Sequence, residues 1–281
     1  MKWEKLKDIH NNIDYVESDQ QSRRKLWINS DWDTSVFREI LNLIENANLI
    51  ENVEGKIIDD RRNLLYYVPG IQKYGLKDDI IIKKFILNRR YDKLRYHFIK
   101  SKAVRSLRIA LIMQEINLLT PEPVAVIERR GKFNSLLESY YITRYIDFDY
   151  NMLDIVRDDN HPLRKRVVDF LPAIGRDARK MHDAGILHND FHAGNILIKD
   201  IESAPLFYYI DLNRARLKKN LSWKQRIGDF ARLNFNDEEK KLFLKHYTPE
   251  KYKNLIDRLK KARKRRRRFV KLKRKFKKIF R

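Results

Sequence analysis

The hydrophobic period of this 281-residue chain shifts near Asp147 from mostly two to 3.6, and nothing else in the sequence limits its fold as strongly. Before that point, short runs rich in β-branched and aromatic residues read as strands: Ile57-Ile58, Leu64 to Val68, Ile80 to Ile86, Val124 to Glu128 and Tyr140 to Tyr145. Turn material separates them at residues 59–63 and from Pro69-Gly70 to Asp78-Asp79. A helix is expected over 34–46, where Phe37, Ile40, Leu41 and Ile44 share a face and Asp33 or Thr34 can cap it. A second is expected over 101–118, stopped by Thr120-Pro121-Glu122-Pro123. After Asp147 the period is 3.6. Leu163, Val167, Phe170, Leu171, Ile174, Ala178 and Met181 lie on one helical face, Pro172 predicts a kink or restart within it, and Gly185 ends it. The expected organisation is an N-terminal segment with a helix at 1–48, a small β-rich lobe at 49–146, a larger helical lobe at 147–258 and a basic end at 259–281.

Charge marks off that last piece. The formal net charge is +24, and the residues from Lys260 to Arg281 hold eight basic side chains up to Arg268, seven after it and no acid. The body therefore carries only about +9. Within the basic end Phe269, Leu272, Phe276, Ile279 and Phe280 fall on one helical face, the pattern of a cationic amphipathic helix that lies on an anionic membrane surface. A solvated, partly disordered end and a nucleic-acid contact are the alternatives for this segment. The apolar fraction of 43% and 32 aromatic residues call for a folded chain. The absence of Cys removes disulfides and thiol chemistry and fits a reducing compartment. The opening residues carry acids and no apolar run, so no signal peptide is expected, and no window approaches eighteen uninterrupted apolar residues, so no membrane span is expected.

The string with most chemistry is His188-Asn189-Asp190-Phe191-His192-Ala193-Gly194-Asn195, followed by two apolar runs and then Asp211. An Asp, an Asn five residues on and a second Asp past another strand is the spacing phosphoryl transfer requires. Asp190 would take or orient the proton of an attacking hydroxyl. Asn195 and Asp211 would hold Mg²⁺ with hard oxygen ligands, and His188 would brace the loop. In Ile80-Ile81-Ile82-Lys83-Lys84, Lys83 rather than Lys84 stands in register to pair with nucleotide phosphates. Eight Gly in the whole chain exclude a Gly-rich phosphate loop; the turn at 59–63, with Arg61 or Arg62, is the substitute.

These residues resemble the small-molecule branch of the kinase-like superfamily, which includes aminoglycoside and choline phosphotransferases; His192 and Gly194 carry that likeness. More narrowly, Ile82-Lys83-Lys84-Phe85, the Thr120 to Pro123 turn, Ser139 to Thr143 and Arg226 to Leu233 are similar to the bacterial lipopolysaccharide kinase family. The resemblance implies an α+β, two-lobed protein-kinase-like fold with a small β-rich N-lobe and a larger helical C-lobe. It further implies ATP and Mg²⁺ as cofactors, adenine held by backbone around Thr143 to Ile146 (Tyr145 included), and Asp229 as a buried support of the catalytic loop. The implied acceptor is Kdo or heptose of an anionic glycolipid, the lipid A-core. The expected location is cytoplasmic, peripheral at the inner face of the inner membrane through residues 260–281, with no specific nucleic acid as partner.

Three departures from the family pattern stand out. Asn213 replaces a usual Gly, which a left-handed backbone would tolerate. Asn189 replaces Arg, as expected of an enzyme not switched by loop phosphorylation. Between Lys83 and Glu115 the only acid is Asp92, so the usual mid-helix Glu partner of the Lys is missing. The alternative readings are a kinase for a soluble small molecule or a protein, and a pseudokinase module that only binds.

Overall fold

The computed structural model describes residues 3–19, 23–46, 53–87 and 95–279. These fall into two compact units. The first holds Glu4–Ile112 and Thr120–Asp147. Its strands are β1 (Glu17–Asp19), β2 (Arg24–Ile28), β3 (Lys56–Asp59), β4 (Leu64–Val68), β5 (Ile80–Lys84), β6 (Pro123–Arg130) and β7 (Leu136–Arg144). They form one antiparallel sheet in the order β1-β2-β6-β7-β5-β4-β3. The N-terminal segment is thus part of the sheet, since β2 pairs with β6 from Arg24↔Arg129 to Ile28↔Ala125. Its Arg-Lys-Leu-Trp-Ile run is short and opens on two charged residues, which hid the strand from a hydrophobicity reading.

Helices cover both faces of this sheet, and strand alternation decides which residues meet which helix. On one side Ile80, Ile82, Ala125 and Ile142 pack with Phe37, Ile40, Leu41 and Ile44 of α2 (Ser35–Asn46). Thr34 is its cap, its Oγ1 accepting from the Phe37 N–H at 3.2 Å. On the other side Phe85, Val126 and Tyr141 pack with Ala103, Val104 and Leu107 of α4 (Lys102–Glu115). Each such buried aliphatic contributes about 1.5–3 kcal/mol. The shorter α1 (Trp3–Asn11) and α3 (Gly70–Tyr74) also lie ahead of β6.

The second unit holds Met1–Trp3, Met113–Leu119 and Phe148–Arg281. Its helices are α5 (Met152–Arg157), α6 (Val167–Asp183), α7 (Trp223–Asp229), α8 (Asp237–Tyr247) and α9 (Tyr252–Ile279). Short strands β8 (Tyr150–Asn151), β9 (Ile186–Leu187), β10 (Ile196–Lys199), β11 (Leu206–Tyr209) and β12 (Arg216–Leu217) make two small sheets, β11-β10-β8 and β12-β9. Helix α6 is continuous from Val167 to Asp183 with Pro172 in its second turn, where the ring forgoes the bond an N–H would make to the Val168 carbonyl. Gly185 follows it at φ 84°, where an added Cβ would come within 2.1 Å of the Lys218 carbonyl, so only Gly fits.

The basic end is continuous with the fold. Helix α9 starts at Tyr252, buries Leu255 and Leu259, and donates from Arg263 to the Leu233 carbonyl before its exposed stretch begins. Of the expected apolar stripe, Phe269, Leu272 and Phe276 are described and are 62%, 54% and 60% exposed, whereas the Ile279 side chain and Phe280 lie outside the described residues. Asp92 lies outside them as well. No described helix is long and apolar enough to cross a membrane.

Candidate active site

The loop after β9 is held from beneath by one carboxylate. Asp229, at the end of α7, accepts from the backbone N–H of His188 at 2.8 Å and of Asn189 at 2.7 Å, and from His182 Nε2 at 3.3 Å. His182 in turn meets the Tyr247 hydroxyl through Nδ1 at 2.8 Å and stacks on Phe230. Burial pushes its imidazole below the usual pKa of 6.5, against the pull of Asp229. Asn189 turns the chain at φ 63°, and its amide Nδ2 donates to the carbonyls of Leu187 and Arg214 at 3.2 and 3.0 Å. Asn suits this position for a local reason: it tolerates the left-handed region and ties two strand ends together.

The same loop presents Asp190. Its side chain is 8% exposed, with Oδ2 paired to Arg214 Nη1 at 2.9 Å and Oδ1 to Arg232 Nη1. His192 Nε2 stands 3.7 Å from Oδ1. The Gly194 N–H donates to His192 Nδ1 at 3.0 Å, so the neutral ring carries its proton on Nε2, facing the carboxylate. Burial, with the charge of Arg214 and Arg157 nearby, holds the His192 pKa below its usual value.

Asn195 and Asp211 are brought together by a hairpin. Strands β10 and β11 pair antiparallel from Ile196↔Tyr209 to Lys199↔Leu206, so the residue before one and those after the other share an end. The Ile210 N–H donates to the Asn195 carbonyl at 3.0 Å, which closes it. Asn195 Nδ2 donates to the Asp190 carbonyl at 3.0 Å, leaving Oδ1 as its ligand atom. Asp211 takes the left-handed conformation at φ 61°, and the Asn213 amide donates to its Oδ1. The left-handed residue here is therefore Asp211, and Asn213 serves as its hydrogen-bond donor. His188 sits under this end, its Nε2 donating to the Ile210 carbonyl at 3.2 Å. Burial lowers its pKa, as suits a neutral brace.

An amide oxygen and a carboxylate at one hairpin end fit a hard divalent cation that completes its shell with phosphate and water. Asn195 Oδ1 and the Asp211 carboxylate would hold such a cation, which would supply positive charge at this end of the hairpin.

In the sheet unit, Lys83 and Lys84 occupy opposite faces of β5. Lys84 is engaged with Glu138 at 3.0 Å and over the Tyr140 ring at 5.1 Å. Lys83 lies on the face of Phe85, opposite Tyr141 and Leu65 on the neighbouring strands, with Nζ 5.5 Å from the Phe85 ring centroid. Glu115 closes α4. Arg61, in the β3–β4 turn, is bound to Asp59 through Nε at 2.8 Å and through its own N–H at 3.1 Å, which lowers the Asp59 pKa to about 2. Arg62 beside it is exposed. Thr143 is buried near the end of β7, and the Tyr145 N–H donates to the Asp79 carbonyl at 2.8 Å while its ring meets Tyr67 edge-on at 5.1 Å.

Arg214, Arg232 and the aimed proton of His192 had no assigned role in the sequence reading. In a chain with 62 Lys and Arg, two arginines do not stand out. The available signal was position, since Arg214 follows Asp211 by three residues and Arg232 follows Asp229 by three.

A seven-stranded antiparallel unit, then a helical unit carrying an Asp–Asn hairpin site clamped by a buried helix Asp, defines a protein-kinase-like fold. A solved structure described as WaaP in complex with acyl carrier protein shares this fold, with a TM-score of 0.57 at 17% identity over 85% of this chain and 98% of that one. The profile of the lipopolysaccharide kinase (Kdo/WaaP) family matches residues 79–262, and the chain belongs to that family. Among its curated relatives, a 3-deoxy-D-manno-octulosonic acid kinase of Haemophilus influenzae (strain 86-028NP) is 26% identical over 152 residues, 53% of this chain and 61% of that protein. One of Vibrio cholerae is 26% identical over 140 residues, 50% of this chain and 54% of that protein. The matched stretch thus spans between half and two thirds of these relatives' length.

Proposed function

We propose that the chain is an ATP- and Mg²⁺-dependent kinase that phosphorylates a hydroxyl of Kdo, or of a neighbouring inner-core sugar, on a lipid-linked acceptor. The observation that carries this reading is the convergence of Asp190, Asn195 and Asp211 on a loop whose backbone is fixed by Asp229. In the reaction, the acceptor oxygen attacks the γ-phosphorus, the bond to the β–γ bridging oxygen breaks, ADP leaves and the hydroxyl proton passes to the Asp190 carboxylate. Lys83 is assigned to the nucleotide phosphates because its β5 face differs from that of Lys84, which is spent on Glu138. Thr143 and Tyr145 are assigned to the adenine side, and Arg61 and Arg62 to the phosphate-covering turn. Arg214 and Arg232 beside Asp190 favour an acceptor that is itself an anion, such as a sugar acid, over a neutral alcohol.

The setting proposed for this reaction is the cytoplasmic face of the inner membrane, with α9 on its anionic surface. The test is label transfer from γ-labelled ATP to Kdo-lipid A, with a panel of soluble sugars and a generic protein acceptor alongside. Label in Kdo-lipid A is expected; label confined to a soluble sugar or to protein would replace this reading with one of those kinases, and ATP binding without transfer to any acceptor would replace it with a binding module.

A further inference from the structure

Helices α7 and α9 enclose a concavity of about 240 Å³ lined by Trp223, Lys224, Ile227, Arg258, Lys261, Ala262 and Arg265. It is smaller than the ~300–1,000 Å³ of drug-sized sites and suits a compact polar headgroup. Its floor is apolar: Ile227 is buried, and Ala262 is small enough to let the two helices approach. Its wall is cationic. Arg258, Lys261 and Arg265 recur on one stripe of α9, Lys224 faces them from α7, and no acidic side chain lines the space.

None of these four cations has an ion pair or a side-chain hydrogen bond among the described residues, although the same unit neutralises Arg164, Arg179 and Arg226 with Glu239 and Asp183. Four like charges around one apolar-floored hollow repel one another. An anion of charge near −2 with several acceptor oxygens relieves that repulsion and gives each cation a charge-assisted bond. The shared face of α9 says where such an anion comes from. Continuing from Arg258, Ala262 and Arg265 at spacings of three and four leads to Phe269, Leu272 and Phe276, all exposed. At 1.5 Å per residue these begin roughly 6 Å beyond Arg265 and extend about 10 Å further. A phosphate hollow followed along one face by an apolar stripe has the layout of a lipid, headgroup first and chains beyond.

We propose that the α7–α9 hollow is a phosphomonoester-binding site that takes the headgroup of a membrane lipid. The proposal rests on the membrane-surface reading of α9 and adds a selective site to what that reading leaves as diffuse attraction. The experiment uses the full chain and phosphatidylcholine vesicles doped with phosphatidic acid, or with phosphatidylglycerol at matched surface charge, with glycerol 3-phosphate as a soluble arm. Three proteins are compared: the wild type, Arg258→Ala/Lys261→Ala/Arg265→Ala, and Arg267→Ala/Lys271→Ala/Arg274→Ala, which removes equal charge from the opposite face of α9. Ala keeps the helix in both, and circular dichroism checks it.

The expected result is binding to phosphatidic acid about tenfold tighter than to phosphatidylglycerol, lost in the first variant and retained in the second. Equal binding to both lipids, or equal loss in both variants, overturns the site and leaves only diffuse attraction. Absence of vesicle binding by the wild type overturns the membrane reading itself. Glycerol 3-phosphate binding without vesicle binding, abolished in the first variant, overturns the lipid source in favour of a soluble phosphate.

Discussion

Asp229, its side chain fully buried, holds two backbone donors and one imidazole, so its removal should be felt twice. Asp229→Ala leaves the N–H groups of His188 and Asn189 without an acceptor and is expected to lower unfolding free energy by about 2–5 kcal/mol, read from urea denaturation. Asp229→Asn keeps one acceptor oxygen and should cost less stability while still misplacing Asp190. His182 and His188 give the fold a pH dependence of definite sign. Burial keeps both below the usual value of 6.5, so on acidification the unfolded chain takes up protons before the native state does. Stability is therefore complete above about pH 6.5 and falls as pH drops below it. Urea midpoints at about pH 7.5 and 5.5 should show this decline, and His182→Gln should flatten it in part, with His188 and the other histidines lowered by burial, His10, His192 and His246, supplying the rest. An unchanged slope in that variant would contradict the account.

At the scale of elements, α9 does two jobs along its length. Leu255, Leu259 and the Arg263 bond to Leu233 anchor its first half, whereas Phe269, Leu272 and Phe276 face outward. Deleting residues 269–281 is expected to leave the urea midpoint within experimental spread while lowering the phosphorylation rate on vesicle-borne acceptor more than on detergent-solubilised acceptor. A large stability loss would mean that the second half packs onto the body after all. The elements also show what the sequence disclosed. Strands β4, β5, β6 and β7 and helices α2, α4 and α6 follow from period and caps, because each buries a regular face. Strands β1 and β2 did not, since runs of three and five residues are too short for alternation to show. The basic end at 259–281 was set off by its charge density alone, and α9 runs across that point from Tyr252 because helix geometry follows backbone and packing, with Leu255 and Leu259 buried.

Over the whole molecule, the charge that dominates the composition is concentrated at 260–281, away in sequence from the residues proposed to carry chemistry. The order Asp190, Asn195, Asp211 stands in the sequence as the spacing expected for phosphoryl transfer, with Asp229 implied by the resemblance, and the fold brings Asn195 and Asp211 to one hairpin end and Asp229 under the loop that carries Asp190. The guanidinia at Asp190 were not legible. Arg214 and Arg232 reach that carboxylate only through the fold, from the segment after β11 and from the turn after α7, and a sequence records neither approach. The proposed activity has Asp190 accept the acceptor proton while Arg214 and Arg232 meet an anionic sugar. The most direct measurement is the steady-state rate of Kdo-lipid A phosphorylation by Asp190→Asn beside wild type, at saturating ATP and with the fold verified by its urea midpoint. The account predicts a fall in kcat of about 10²–10⁴-fold, as for loss of a general base, with ATP binding retained. An Asp190→Asn protein that phosphorylates Kdo-lipid A at the wild-type rate would contradict it.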